Sequence, residues 1–208
     1  MFTFGWTRFL SPGRGDSASP AFYFSSLPVL ETERLLLRPL RNRDAKDIFT
    51  YASDPEVARY VLWSPHRSVA ETRGYIRYIR ALYRRGLPAS WAVTLRDSGR
   101  VIGTVGFMWY SDINCAAEVG YSFSRDCWNM GYATEALGTV IRSVFSTLPV
   151  NRLEAQHDIR NPASGRVMEK CGMRKEGILR QRVRNKGEFI DTVLYAILRT
   201  DLEASSGL

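Results

Sequence analysis

Cysteine and histidine are scarce in this chain. Its 208 residues include three cysteines, Cys115, Cys127 and Cys171, and two histidines, His66 and His157. So few and so scattered, they assemble neither a disulfide framework nor a structural zinc site. No metal is expected, and a reducing, cytoplasmic setting follows as the default. Long apolar runs are missing too. The uncharged run from Val101 to Tyr110 has about half the length of a membrane span. No cationic start followed by an apolar stretch and a small-residue cleavage site opens the chain, so neither a secretory signal nor a membrane partner is expected. There is no G-x-x-x-x-G-K-[ST], no G-x-G-x-x-G after a first strand, no G-x-S-x-G and no RNP-type aromatic strand. These absences argue against a nucleotide P-loop, a dinucleotide fold, a serine hydrolase and an RNA-recognition sheet. Acid is also in short supply: 29 Lys and Arg against 21 Asp and Glu leave a net charge of +8. That balance favours an anionic partner, a phosphate-rich cofactor among them, or a merely soluble basic surface.

What is present is an ordinary globular composition, 45% hydrophobic and 24% charged, of a length that suits one domain. Residues 1–29 carry Ser-Pro-Gly turn chemistry interleaved with aromatics. They read as a loosely structured extension that packs on the domain or on a second chain. A regular domain follows over 30–200, then a tail over 201–208. Arg34 to Leu40 reads as a strand and Asp44 opens a short helix. Ser68 and Glu71 form a capping box that starts a helix reaching about Arg85. On that helix Arg73, Arg77, Arg80 and Arg84 make one basic stripe opposite Ile76, Ile79, Leu82 and Tyr83. A hairpin turns at Asp97 to Arg100, and a strand runs from Ala116 to Phe123. Val119, Tyr121 and Phe123 share one of its faces, Glu118, Gly120 and Ser122 the other. A helix begins near Gly131, a strand at Arg152, and a short helix at Asn161. Two last strands flank Asn185-Lys186-Gly187.

The loop from Ser124 to Gly131 runs from a strand into a helix. Free N–H groups at a helix start, with small residues at 131 and 133, suit a diphosphate. Trp128-x-x-Gly131-Tyr132-Ala133-Thr134-Glu135-Ala136 resembles the acyl-CoA motif of the GNAT N-acetyltransferase superfamily. Asn161-Pro162-Ala163-Ser164-x-Arg166-Val167-Met168-Glu169-Lys170-Cys171-Gly172 is similar to the second signature of its ribosomal-protein alanine and serine N-terminal acetyltransferase branch. Leu30 to Arg38 resembles that branch's opening strand. The resemblance covers roughly residues 30–200.

It implies an α+β fold, a twisted mixed sheet of about seven strands with about four helices. It also implies acetyl-CoA as donor, held by Tyr121, Ser122 and Phe123 along the strand, by Cys127, Asn129, Met130, Gly131, Tyr132, Ala133 and Thr134 in the loop, and by Asn161. Ser164 stands where the branch puts a hydroxyl near the sulfur, as general acid. Glu118 stands where the superfamily often has a base acting through water, or else it is an ion-pair partner. A backbone N–H near Gly120 or Tyr121 polarises the carbonyl if a bulge lies there. Asn129 departs from the family's usual first glycine. Arg182-Val183-Arg184 occupies the region where some relatives carry a glutamate.

The implied acceptor is a primary amine, foremost a protein N-terminus. A small-molecule amine (a polyamine or antibiotic) and a non-catalytic acyl-CoA-binding or RNA-associated module stay open. Nucleic acid is not expected as substrate, and the chain is expected as monomer or homodimer. Acceptor contacts are expected from residues 53–75 and around Tyr110.

Overall fold

The structure, a computed structural model, describes residues 19–206. Eight strands form one twisted sheet: β1 (Leu30–Glu31), β2 (Leu35–Pro39), β3 (Ser90–Leu95), β4 (Val101–Ser111), β5 (Ala116–Phe123), β6 (Arg152–Asp158), β7 (Arg174–Asn185) and β8 (Glu188–Leu198). Their order is β1-β2-β3-β4-β5-β6-β8-β7. Every neighbouring pair is antiparallel except β5 and β6, which run parallel. The count is one above the expected seven because β1 is a two-residue edge strand on β2.

Helices cover both faces. On one lie α5 (Tyr132–Thr147) and α6 (Pro162–Lys170), whose apolar sides meet Leu35, Trp91, Ile102 and Leu153 in the main core. On the other lie α2 (Ala45–Ala52), the single-turn α3 (Pro55–Ala58) and α4 (Val69–Arg84), which bury Ile48, Tyr51, Ile76 and Ile79. The 3.6-residue spacing of these apolar positions explains why the segments are helical. At the start of α4 the Ser68 hydroxyl accepts from the Glu71 N–H. Glu71 reaches back one residue further than a capping box requires, accepting from Arg67 N–H at 2.7 Å. Arg73, Arg77 and Arg84 are exposed, while Arg80 donates to Asn42 Oδ1.

Two terminal expectations need correction. Residues 1–18 of the extension lie outside the described residues, but 20–25 form a helix, α1, and are not loose. Tyr23, Phe24 and Leu27 are buried. Phe24 meets Phe107 and Tyr110 edge-on, and Trp91 Nε1 donates to Pro28 O. Three apolar side chains at helical spacing outweigh the turn-forming residues around them. At the other end, α7 (Arg199–Ser206) takes up most of the tail. Its Arg199 guanidinium donates to the Phe145 carbonyl in the last turn of α5 and to the Leu148 and Val150 carbonyls just beyond it. No helix among the described residues is long and apolar enough to cross a membrane.

Candidate active site

The parallel ladder between β5 and β6 ends almost as soon as it begins. Ala116, Ala117 and Glu118 pair with Arg152, Leu153 and Glu154, and beyond Glu118 the strands part. The opening exposes backbone. Ser124 N–H donates to Ile102 O on the β4 side. Because antiparallel residues alternate sides, Ser122 and Gly120 also turn to β4, leaving Val119, Tyr121 and Phe123 facing the gap. Phe123 O is already taken by Trp128 Nε1 at 2.9 Å. The free strand edge therefore belongs to Val119 and Tyr121, where the sequence suggested residues 121–123. The ladder irregularity lies on β4, between Phe107 and Trp109, with no extra residue in β5. The condition for a carbonyl-polarising N–H near Gly120 or Tyr121, a bulge in β5, is not met; the irregularity is on the opposite strand.

Glu118 stands at the fork, 9% exposed. Its carboxylate accepts from Trp109 Nε1 at 2.7 Å and from Gln156 Nε2 at 3.1 and 3.2 Å. Gln156 is itself oriented by Thr192, whose hydroxyl donates to Oε1. No ion pair involves Glu118 among the described residues, so the ion-pair alternative does not hold. Neutral donors fix the carboxylate without neutralising it, which is what a base needs. Trp109 and Gln156 have no signal in the sequence, because strand register alone brings them to Glu118. Tyr110, expected beside the acceptor, instead packs on Phe24 in the core.

Ser164 lies on the other face, in the first turn of α6. Its Oγ donates to the Tyr121 hydroxyl at 2.9 Å, and Tyr121 in turn donates to Ser164 O at 2.8 Å. Burial raises the Tyr121 phenol far above its ordinary value, so it stays protonated. Gly165 follows because nothing larger fits: a Cβ there would sit 2.7 Å from His157 Nε2 and 3.0 Å from the Tyr195 hydroxyl. Asn161 occupies the N-cap position, but its side chain makes no capping bond. Helix capping therefore does not account for that side chain.

The loop into α5 has the form of an anion cradle. Asn129 (φ 61°) and Gly131 (φ 82°) both adopt left-handed backbone, so Asn129 keeps the conformation a glycine would take. The N–H groups of Cys127 and Trp128 are spent on Ser124 O and Arg125 O. Those of Tyr132, Ala133 and Thr134 open a helix and have no partner within it. Such alternating backbone with free amides is an anion-binding nest. Arg34 clamps it: Nη1 donates to Met130 O, the guanidinium lies 4.4 Å above the Tyr132 ring, and it pairs with Glu135. Thr32 also donates to Glu135 at 2.5 Å. This lock joins the opening-strand motif to the loop motif. Cys127 is not at the cradle surface: its thiol is buried, with Arg100 Nη2 3.5 Å from the sulfur, and burial raises its pKa. Cys171 is likewise pushed up to about 11 by burial, and donates to Thr134 O. Neither thiol is a ready nucleophile.

A cradle at the start of α5 beside a forked parallel pair defines an acyl-CoA-dependent N-acetyltransferase. Residues 34–174 match the family described as "Acetyltransferase (GNAT) domain", and the chain belongs to that family. It is 36% identical over 172 residues to the uncharacterised N-acetyltransferase YoaA of Bacillus subtilis, covering 83% of this chain and 97% of the relative. It is 26% identical to the [ribosomal protein uS5]-alanine N-acetyltransferase of Escherichia coli, covering 86% and 96%. A crystal structure of a GNAT-family acetyltransferase from Bacillus anthracis superposes with a TM-score of 0.75 at 28% identity, covering 83% of this chain and 99% of that one.

Proposed function

We propose that the protein transfers the acetyl group of acetyl-CoA to the free α-amine of a protein N-terminus within a direct ternary complex. The arrangement at the fork carries this reading. With the thioester in the gap, Glu118 lies on the α2–α4 face and the Ser164–Tyr121 pair on the α5–α6 face. An amine approaching from the first face meets the base, and the thiolate leaves toward the acid. The Glu118 carboxylate takes one ammonium proton, directly or through one water; the freed lone pair forms the N–C bond as the C–S bond breaks, and the nitrogen gives up its second proton to water to leave the neutral amide. Ser164 Oγ turns from the Tyr121 hydroxyl to protonate the departing sulfur and recovers a proton from water, while Tyr121 stays protonated. The unreactive thiols support direct transfer over an acetylated cysteine.

For the donor, the cradle at residues 129–134 suits the diphosphate, the Val119 and Tyr121 edge suits the pantetheine amides, and Asn161 has a free side chain beside them. For the acceptor, the support is charge together with the relative named for a ribosomal-protein alanine. The pocket that Arg59, Arg160 and Lys186 line beyond the fork is cationic, with Glu188 the acid among its lining residues, which disfavours polyamines and aminoglycosides. The test offers a peptide with a free alanine terminus, the same peptide Nα-blocked and carrying one lysine, spermidine, and an aminoglycoside. The free-terminus peptide is expected to lead by at least about tenfold in kcat/KM, or about 1.4 kcal/mol. Preference for spermidine or the antibiotic would refute the acceptor assignment.

A further inference from the structure

A polar line runs away from Glu118 along the sheet. Gln156 holds Glu118, Thr192 holds Gln156, and Thr192 is the register partner of Asp158. Asp158 is buried and accepts from Arg160 Nε at 2.9 Å and Nη2 at 2.7 Å. The line ends in a pocket of about 290 Å³ lined by Arg59, Tyr60, Arg160, Asn185, Lys186 and Glu188. Two side chains at the β7–β8 turn tie its rim to the end of α3 and the residues after it. Lys186 Nζ donates to the Ala58 and Arg59 carbonyls, and Asn185 Nδ2 donates to Val61 O at 3.2 Å.

Three features of the pocket remain unspent. Asn185 is buried, and its Oδ1 has no hydrogen-bond donor. Arg59 lies 5.2 Å from the Tyr60 ring, and its acidic partner is the exposed Glu56 at 3.4 Å. The strand leading into the turn adds Arg180, Arg182 and Arg184, all exposed and without an ion pair among the described residues.

We propose that this pocket recognises an acidic side chain of the acceptor peptide, three to six residues from its amino terminus. The inference rests on a peptide α-amine being the acceptor. Gln156 to Asp158 advances two strand residues, about 7 Å at roughly 3.3 Å each, and the turn at Arg160 carries the path on to the pocket, a reach that an extended peptide covers in a few residues. With the terminal amine at Glu118, the carboxylate meets the Arg59 guanidinium, and Asn185 Oδ1 accepts a peptide N–H. A guanidinium stacked on an aromatic ring and only loosely paired is suited to a carboxylate from outside.

The test uses ten-residue peptides with a free N-terminal alanine, neutral elsewhere, in which one aspartate moves from position 2 to position 9. With the full chain and acetyl-CoA, kcat/KM is expected to peak between positions 3 and 6, about tenfold or more above the aspartate-free peptide and mainly through KM. Arg59→Glu should abolish that peak and create one for lysine at the same positions, with acetyl-CoA affinity unchanged as the check on folding. A flat profile across measurable turnover overturns this inference and leaves the α-amine assignment standing. Absence of turnover with every peptide overturns that assignment, and this inference with it.

Discussion

In the proposed mechanism Glu118 is the base, and its neighbours define what its loss should do. Glu118→Gln preserves shape and most hydrogen bonds, so acetyl-CoA binding is expected to persist. Turnover should fall by about 10²-fold, and the rise of kcat/KM with pH should flatten. Steady-state profiles beside calorimetric titration separate the two effects. Ser164→Ala should also cost about 10²-fold in kcat with little change in donor affinity. Tyr121→Phe removes the hydroxyl behind Ser164 and should show a smaller loss of the same kind. If the Ser164 variant matches wild type, the proton reaches sulfur from water alone. Strand alternation put Glu118 on the face opposite Val119 and Tyr121, but only the family resemblance singled out Glu118 and Ser164 as candidates. Trp109, Gln156 and Thr192 were not legible, since the β4 irregularity and the β6–β8 register decide which side chains reach Glu118. The Tyr121 hydroxyl escaped notice for a related reason: only the approach of α6 to β5 gives it a partner.

At the level of elements, the loop–helix junction at Gly131 is the proposed donor site. Gly131→Glu would force a side chain into backbone at φ 82° and set a carboxylate beside the diphosphate. An affinity loss of about 10²-fold or more is expected by calorimetry. Unchanged affinity in a folded variant would remove the loop from donor binding. The Arg199 guanidinium offers a purely structural test, since it donates to three carbonyls in and just beyond the last turn of α5. Arg199→Leu leaves them without that donor and should cost about 2–4 kcal/mol in denaturant unfolding. A loss within about 0.5 kcal/mol would mean that water replaces it. Periodicity made α2, α4, α5 and α6 readable, and the turns at Gly99 and Asn185-Lys186-Gly187 made the hairpins readable. The helix α1 stayed hidden because serine and proline dominate its surroundings, while its stabilisation comes from distant Phe107 and Trp91. β1 is too short to have a period.

For the molecule as a whole, two carboxyl groups contribute to acid stability, Glu135 by tying the segment before β2 to α5 and Asp158 by holding the turn at Arg160. Burial works to raise Glu135, but hydrogen bonds from Thr32 and Arg34 outweigh it and hold the group below its ordinary 4.5. Asp158 is likewise raised by burial and lowered more by Arg160, below 3.8. The folded state therefore binds fewer protons than the unfolded chain. Their stabilisation is complete above these ordinary values and is lost as pH falls through the depressed ones. Glu135→Gln should shrink the loss of unfolding free energy between about pH 5 and pH 2, followed by denaturant titration at each pH. An identical acid slope would mean that the lock to the opening strand does not outlast solvation. Charge, motif order and the glycine that opens α5 were legible at this scale without coordinates, whereas the pocket proposed for the acceptor was not, because it joins residues 59–60, 160 and 185–188 from three parts of the chain. The most direct measurement is a crystal structure of the chain with acetyl-CoA. The expected result has the diphosphate on the amides of residues 129–134, the pantetheine arm along Val119 and Tyr121, and the sulfur beside Ser164 Oγ. Donor density lying outside the β5–β6 gap, with Ser164 and Glu118 both remote from the thioester, would contradict the assignment.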